Sequence, residues 1–257
     1  MIESLHSPHI ARVKALIGSK GAKERREQGL FVAEGLQCAR EALTSTHGPE
    51  LKILYATENG LSKIAEFNLG SVEIVEVSEA VMKAMSDTVS PQGLISLCYK
   101  PESDISDLST TGSSTFIYLH EIQDPGNAGT ILRTADAMGV DAVIVSPGSV
   151  DMYSPKVVRA TAGSLWHVPL FTGITLARLS EQLPTVKKIA LSAQGTKSLL
   201  ELSDLPDCVA IFGNEARGID ALIDADVMQV SIPMTGNAES LNLAAAAAIV
   251  IFHLSHK

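Results

Sequence analysis

Residues 232–252 read IPMTGNAESLNLAAAAAIVIF. The uninterrupted apolar part, Leu243 to Phe252, is ten residues long. As a helix it spans about 15 Å, half of what a bilayer core requires. It is too short to cross a membrane. Being apolar on every side, it is expected to be buried all round, and its five alanines allow close backbone approach. Ahead of it stand Glu239, Ser240, Leu241 and Asn242, which set a carboxylate, a hydroxyl and an amide at the helix entrance. Two uses are open for them: capping by Ser240 or Asn242, or presentation to a ligand.

Working outward, the 257 residues allow one large or two modest domains, and 46% hydrophobic content is ample for a packed core. The N-terminal MIESLHSPHIARVK lacks the basic-then-apolar order of a signal peptide. A cytoplasmic protein with no membrane attachment is expected. Cys38, Cys98 and Cys208 lie far apart without a CxxC pair, which favours buried thiols in a reducing compartment. The seven histidines form no HExxH or similar spacing, so no metal is expected.

The net charge of −9 weighs against a polyanionic partner, but its distribution softens that. Residues 1–100 are nearly balanced, and positive charge gathers early at Arg12, Lys14, Lys20, Lys23, Arg25 and Arg26. Such a cluster is read either as an RNA-gripping face or as a solvated helix surface.

Pro101 to Ser114, PESDISDLSTTGSS, reads as a linker between two domains, 1–100 and 115–257. The first alternates strand-like LFVAEG, LKILYAT, VEIVEV and GLISLCY with amphipathic stretches, a small α/β domain. In the second, STFIYLH, DAVIVSP, HVPLF, KKIALSA, CVAIFG and MQVSIP are short, β-branched and apolar throughout. Strands of that kind are buried on both faces, as in a parallel sheet with helices on each side. Ligands in such sheets bind beyond the C-terminal strand ends, which directs attention to three loops.

The first loop is EIQDPGNAGTILRTADAMG, Glu121 to Gly139, with Asn127 expected as the helix N-cap and Arg133 as an isolated cation in a small, apolar helix. Surface pairing of Arg133 with Asp124 or Asp136 is the alternative to a functional role. The second is FGNEARGID, where Gly213 is expected to let backbone approach a ligand, Gly218 permits a bend, and Glu215 lies between. The third is IPMTGNAESLN, in which Gly236 is expected to turn the chain and Ile232, Met234 and Leu241 offer apolar surface. No GxGxxG or GxxxxGK[ST] occurs, so nucleotide-fold readings have no motif behind them.

Together these loops resemble the motifs of the SpoU (TrmH) family of RNA ribose 2′-O-methyltransferases, in the SPOUT superfamily. The resemblance rests on Asn127, Gly129 and Arg133; on Gly213, Asn214, Glu215 and Gly218; and on Ile232, Pro233, Met234, Ser240, Leu241 and Asn242. It runs from about Phe116 to Leu254, with VVRATAGSLWHVPLF as a supporting segment. Ala216, where a glycine is usual, and Thr161, where a serine is common, are small departures. LFVAEGLQCAREAL and SPQGLISLCYK resemble that family's ribosomal-protein-like substrate-binding domain.

The resemblance implies a deep trefoil knot, a homodimer, S-adenosyl-L-methionine as cofactor, and RNA, chiefly large-subunit rRNA, as substrate. It implies that Gly213, Ile232, Met234 and Leu241 hold the cofactor. Arg133, Asn127, Glu215, Ser240 and Asn242 are implied for catalysis, with Arg133 supplied across the dimer. A tRNA target, or a catalytically silent RNA-binding protein of the same fold, is the alternative.

Overall fold

In the computed structural model, residues 1–203, 205–215, 217–219 and 226–256 are described. They form two compact units, 1–102 with 151–167, and 103–150 with 168–257.

The first unit contains α1 (Pro8–Ile17), α2 (Gly21–Gln28), β1 (Leu30–Glu34), α3 (Leu36–Thr44), β2 (Leu51–Ala56), α4 (Glu58–Ser62), β3 (Glu73–Glu76), α5 (Glu79–Met85) and β4 (Leu94–Tyr99). Its sheet has the order β1-β4-β2-β3, with β4 antiparallel to both neighbours and β2 parallel to β3. Strand alternation sends Ile53, Tyr55 and Ile95 to one face, against Val13 and Leu16 of α1 and Met82 of α5. Leu54 and Leu94 turn to the other face, against Ala39 of α3. Ser7 caps α1 by accepting from the His9 amide, and Pro8 fills its first position.

Arg25 departs from the reading of the early basic cluster as a uniform surface. Its side chain is only 6% exposed, and Nε and Nη2 each stand 2.8 Å from Asp151 Oδ2. A third donor meets the Leu16 carbonyl at the end of α1. Asp151 begins the segment that joins this unit from later in the chain, including α7 (Pro155–Thr161). Trp166 closes it, donating from Nε1 to the Pro49 carbonyl at 2.9 Å. The sequence boundary at 115 places this segment in the second domain; the ion pair of buried Arg25 with part-exposed Asp151, and Trp166, pack it here.

In the second unit, β5 (Thr115–Leu119), β6 (Ala142–Val145), β7 (Leu170–Thr172), β8 (Lys187–Leu191), β9 (Lys197–Ser198), β10 (Cys208–Phe212) and β11 (Val227–Ser231) form one parallel sheet. Its order is β7-β6-β5-β10-β8-β11-β9. Every residue of β5, β6 and β10 is buried, as expected of apolar strands covered on both faces. The expected strand at 167–171 lies slightly later, at Leu170–Thr172, because Ser164–Trp166 is a single 3-10 turn. Helices α6 (Pro125–Ala137), α8 (Leu176–Gln182) and α9 (Leu243–Ser255) complete the unit. The serine-rich stretch before β5 is packed rather than free: Ile105 and Leu108 enter the core beside Phe116 and Leu179.

Within a single chain α9 is covered on one side and bare on the other. Ala244, Ala247, Val250, Ile251 and Leu254 are buried where the helix meets α6 and β10. Ala245, Ile249 and Phe252, spaced four and three apart, form an exposed row, with Ile249 42% and Phe252 55% accessible. Among the described residues, no helix is long and apolar enough to cross a membrane.

The strand order positions the site. From β5 the chain winds outward through β6 and β7, then crosses to β8 on the other side of β10. The winding therefore reverses between β5 and β10, and a crevice opens beyond their C-terminal ends.

Candidate active site

The loop leaving β5 turns at Glu121, a non-glycine residue with φ of +48°. Helix α6 then starts on Pro125, and Asp124 is its N-cap, accepting from the Asn127 amide at 2.7 Å. The cap is thus Asp124, not Asn127. An aspartate directly before a first-turn proline carries out that role three residues early, and it leaves the Asn127 side chain free. Asn127 Nδ2 donates to Glu215 Oε1 at 3.3 Å, and Asn127 Oδ1 accepts from Asn242 Nδ2 at 3.1 Å.

Glu215 also accepts from the Gln123 and Asp124 backbone amides, each at 3.2 Å. With three donors on two oxygens it acts as a post joining the loops after β5 and β10. Asn242 has both amide ends committed: its Oδ1 accepts from the Ala244 and Ala245 amides at 2.9 and 3.3 Å, capping α9. Of the two capping candidates it is Asn242 that caps, while also reaching Asn127.

The loop after β10 closes on itself. Asn214 and Gly218 exchange backbone hydrogen bonds of 3.2 and 2.8 Å, with Gly218 at φ +67°. A Cβ at Gly213 would lie 2.4 Å from the Gly218 carbonyl oxygen. Gly213 is therefore demanded by the loop's own return, before any ligand arrives. Gly236, by contrast, has open space and no left-handed φ, so no bend requires a glycine there. Ala216 lies outside the described residues.

These loops enclose a cleft of about 580 Å³. Gly213, Glu215, Ile232, Met234, Ser240, Leu241, Asn127 and Asn242 all line it, together with Leu191 at the end of β8 and Ser192 beyond it. Met234 and Leu241 remain exposed apolar surface. Asp124, Glu215 and Glu239 are its charged lining, and among the described residues no Lys or Arg lines it. Such a cleft suits a ligand with an apolar body and positive charge.

Arg133 does not line it. Six positions beyond Asn127, it is turned about 120° around α6 and is exposed, with no ion pair among the described residues. The alternative of pairing with Asp124 or Asp136 is not what the structure holds.

Beside the cleft, Glu121 pairs with Arg217, while its carbonyl accepts from Asn214 Nδ2 at 2.8 Å and Gln123 Nε2 at 2.9 Å. Burial holds the His120 imidazole below its ordinary value; the Glu121 carboxylate opposes that and Arg217 adds to it. Sequence reasoning singled out neither Asp124, Glu121 and Arg217 as a group nor the loop from Ser192. The Asp-Pro pair was the available signal for the first, and the strand-end rule for the last.

A family model described as the SpoU rRNA methylase family matches residues 114–252, more than half of the chain. The chain belongs to this family. A second model, the MRM3-like substrate binding domain, matches residues 8–96. Over 234 residues the SpoU-family chain is 32% identical to the 23S rRNA (guanosine(2553)-2′-O)-methyltransferase RlmP of Bacillus subtilis, covering 90% of this chain and 91% of that one. It is 29% identical to the 23S rRNA (uridine(2479)-2′-O)-methyltransferase of Streptomyces viridochromogenes, over 93% of this chain and 86% of the other. The AdoMet-bound rRNA methyltransferase from Sinorhizobium meliloti superposes with a TM-score of 0.84 at 28% identity, covering 98% of this chain and 96% of that structure.

Proposed function

We propose that this SpoU-family protein transfers a methyl group from S-adenosylmethionine to a ribose 2′-hydroxyl of RNA, in the large-subunit rRNA, in the cytoplasm and without a metal. The observation that carries the reading is the chain of hydrogen bonds Glu215–Asn127–Asn242. It ties three strand-end loops into one wall of an apolar and acidic cleft at the sheet's switch point. An RNA-binding protein without catalysis has no use for that arrangement. A tRNA acceptor is the remaining alternative, and the 23S rRNA activities named for two relatives favour rRNA.

The cleft fits the cofactor. Ile232, Met234 and Leu241 would cover its apolar parts, and Asp124, Glu215 and Glu239 supply negative charge opposite a cationic ligand. When bound, S-adenosylmethionine supplies an electrophilic methyl on a good leaving group. The protein's share is alignment, worth up to roughly 7–11 kcal/mol, and help with the hydroxyl proton. Asn127 is held by bonds at both ends of its amide and orients the acceptor side of the cleft. Ser240 lines the same wall. Glu215, with three donors already in place, braces rather than accepts the proton.

Arg133 is too basic to take a proton, so its role is to fix a substrate phosphate and stabilise the developing alkoxide. Because it does not line its own chain's cleft, we assign it to the cleft of another subunit. On α6 the exposed row sets the small Gly126, Thr130 and Ala137 beside Arg133, and α9 beside it exposes Ala245, Ile249 and Phe252. The apolar row of α9 beside the small side chains of α6 makes a self-complementary surface for a homodimer, in which the partner subunit's Arg133 completes each site. The trefoil knot, an RNA-gripping domain at 1–100 and a catalytic domain at 115–257, less the 151–167 segment that packs with the first unit, belong to the same reading.

The test is transfer of labelled methyl from S-adenosylmethionine to total RNA of a strain lacking the gene, with the 2′-O-methyl position mapped afterwards. No incorporation into any RNA, by protein shown to be folded and dimeric, would reject the assignment.

A further inference from the structure

The cleft presents three carboxylates and, among the described residues, no cation, yet its acceptor is a polyanion. Besides the partner subunit's Arg133, a cation at the rim of the same subunit would offset that charge. The loops at the C-terminal strand ends read HEIQD (120–124), SPGSVD (146–151), SAQGT (192–196), GNEARGI (213–219) and IPMTGNAESLN (232–242). Together they contain a single Lys or Arg, Arg217.

Arg217 is held in place rather than loose. Its backbone amide donates to Asn214 Oδ1 at 3.1 Å, inside the closed Asn214–Gly218 turn. Its guanidinium Nη2 rests on Glu121, whose left-handed backbone is itself pinned by Asn214 and Gln123. A non-glycine residue in that conformation costs about 1 kcal/mol or more and persists where its surroundings over-determine it. Among the described residues only one nitrogen of the guanidinium is engaged, and the side chain is 71% exposed. The remaining N–H groups of its five-donor fork face outward, two residues from Glu215. A surface Arg–Glu pair adds little stability, so bracing alone gives poor reason for this construction.

We propose that Arg217, pre-oriented by Glu121, is a positioning residue that receives an RNA phosphate neighbouring the methylated nucleotide. The inference rests on the RNA methyltransferase reading. It adds a contact from the same subunit as the cofactor cleft, distinct from the partner subunit's Arg133.

The experiment compares wild type, Arg217→Gln, Arg217→Lys and a charge-matched control, Lys187→Gln. Lys187 is exposed at the start of β8, the opposite end of the strands. Total RNA from a strain lacking the gene is the substrate, and calorimetry follows S-adenosylmethionine. Arg217→Gln should raise the KM for RNA about tenfold with kcat within twofold. The log–log salt slope of RNA binding should flatten by about 0.7–0.9, one phosphate contact. Cofactor affinity should not move, Arg217→Lys should recover part of the loss, and Lys187→Gln should match wild type. An Arg217→Gln protein with wild-type KM and salt slope overturns the proposal, making Arg217 a loop brace. So does an equal loss in Lys187→Gln, which would make the effect one of net charge. Wild-type protein that transfers no methyl would reject the parent reading and this one with it.

Discussion

Asp124 Oδ1 accepts the Asn127 backbone amide at 2.7 Å, and this one bond decides what Asn127 can do. With the helix start already capped, the Asn127 side chain is spared for Glu215 and Asn242. Capping and site organisation are divided between two residues of the same turn.

Replacing Asn127 should therefore damage activity far more than stability. Asn127→Ala should lower kcat/KM about 100-fold, the scale for losing a pre-organised hydrogen-bonding group. Asn127→Asp keeps an acceptor for Asn242 but sets a second carboxylate against Glu215, and should be worse still. Thermal unfolding should shift by only a few degrees in Asn127→Ala. A large destabilisation would show that Asn127, not Asp124, holds the helix start.

Arg133→Ala should reduce methyl transfer at least 100-fold with cofactor affinity nearly unchanged, because the residue lies away from the cleft. Mixing inactive Arg133→Ala and Asn127→Ala proteins should restore one working site in each mixed dimer, up to about half of normal sites per mixed dimer. Sedimentation should give a dimer for wild type and a monomer for Phe252→Glu. Mixed samples that stay inactive, although subunits exchange, would place Arg133 in its own subunit's chemistry.

In the early basic cluster, substitution should separate structural from surface residues. Arg25→Ala leaves Asp151 without its partner and the Leu16 carbonyl without its donor. It should cost about 3 kcal/mol, the lower end for breaking a buried pair, since Asp151 is partly exposed. Lys23→Glu with Arg26→Glu should leave stability nearly unchanged and weaken RNA binding in a salt-dependent way. Normal RNA binding at 150 mM salt in that double variant would make the cluster a solvated surface.

His120 gives the second unit a pH dependence. Its folded imidazole titrates below the ordinary value, chiefly through burial, so as pH falls the unfolded chain takes up the proton first. Stability should be fully present above about pH 6.5, decline below it, and level off once the folded imidazole protonates. His120→Phe should flatten that part of the melting-temperature profile while leaving the acid-range loss due to carboxylates. An unchanged profile would mean that His120 contributes no linkage.

How far the sequence carries depends on the distance over which each feature is decided. The parallel sheet was legible because β5, β6 and β10 are apolar at every position, a local signature of burial on both faces. The cleft-lining residues were legible because they sit in loops that follow such strands. Arg25 was not: its partner Asp151 lies 126 positions away, and a buried arginine looks like a surface one in a stretch such as GAKERREQ. Nor was the bare side of α9, since Ile249 and Phe252 are as apolar as the residues that are covered. Apolar character marks a surface for burial without saying whether its own chain or another provides the cover.

The double commitment of Asn242 makes the first turn of α9 and the wall of the cleft one mechanical element. If the turn frays, the Ala244 and Ala245 amides lose their acceptor and Asn127 loses its donor together. A ligand that seats against this wall therefore stiffens the helix start, by reciprocity of coupled equilibria. Amide hydrogen exchange at Ala244 and Ala245 becomes a reporter of cleft occupancy, slowing when the cleft fills even though neither amide touches what fills it.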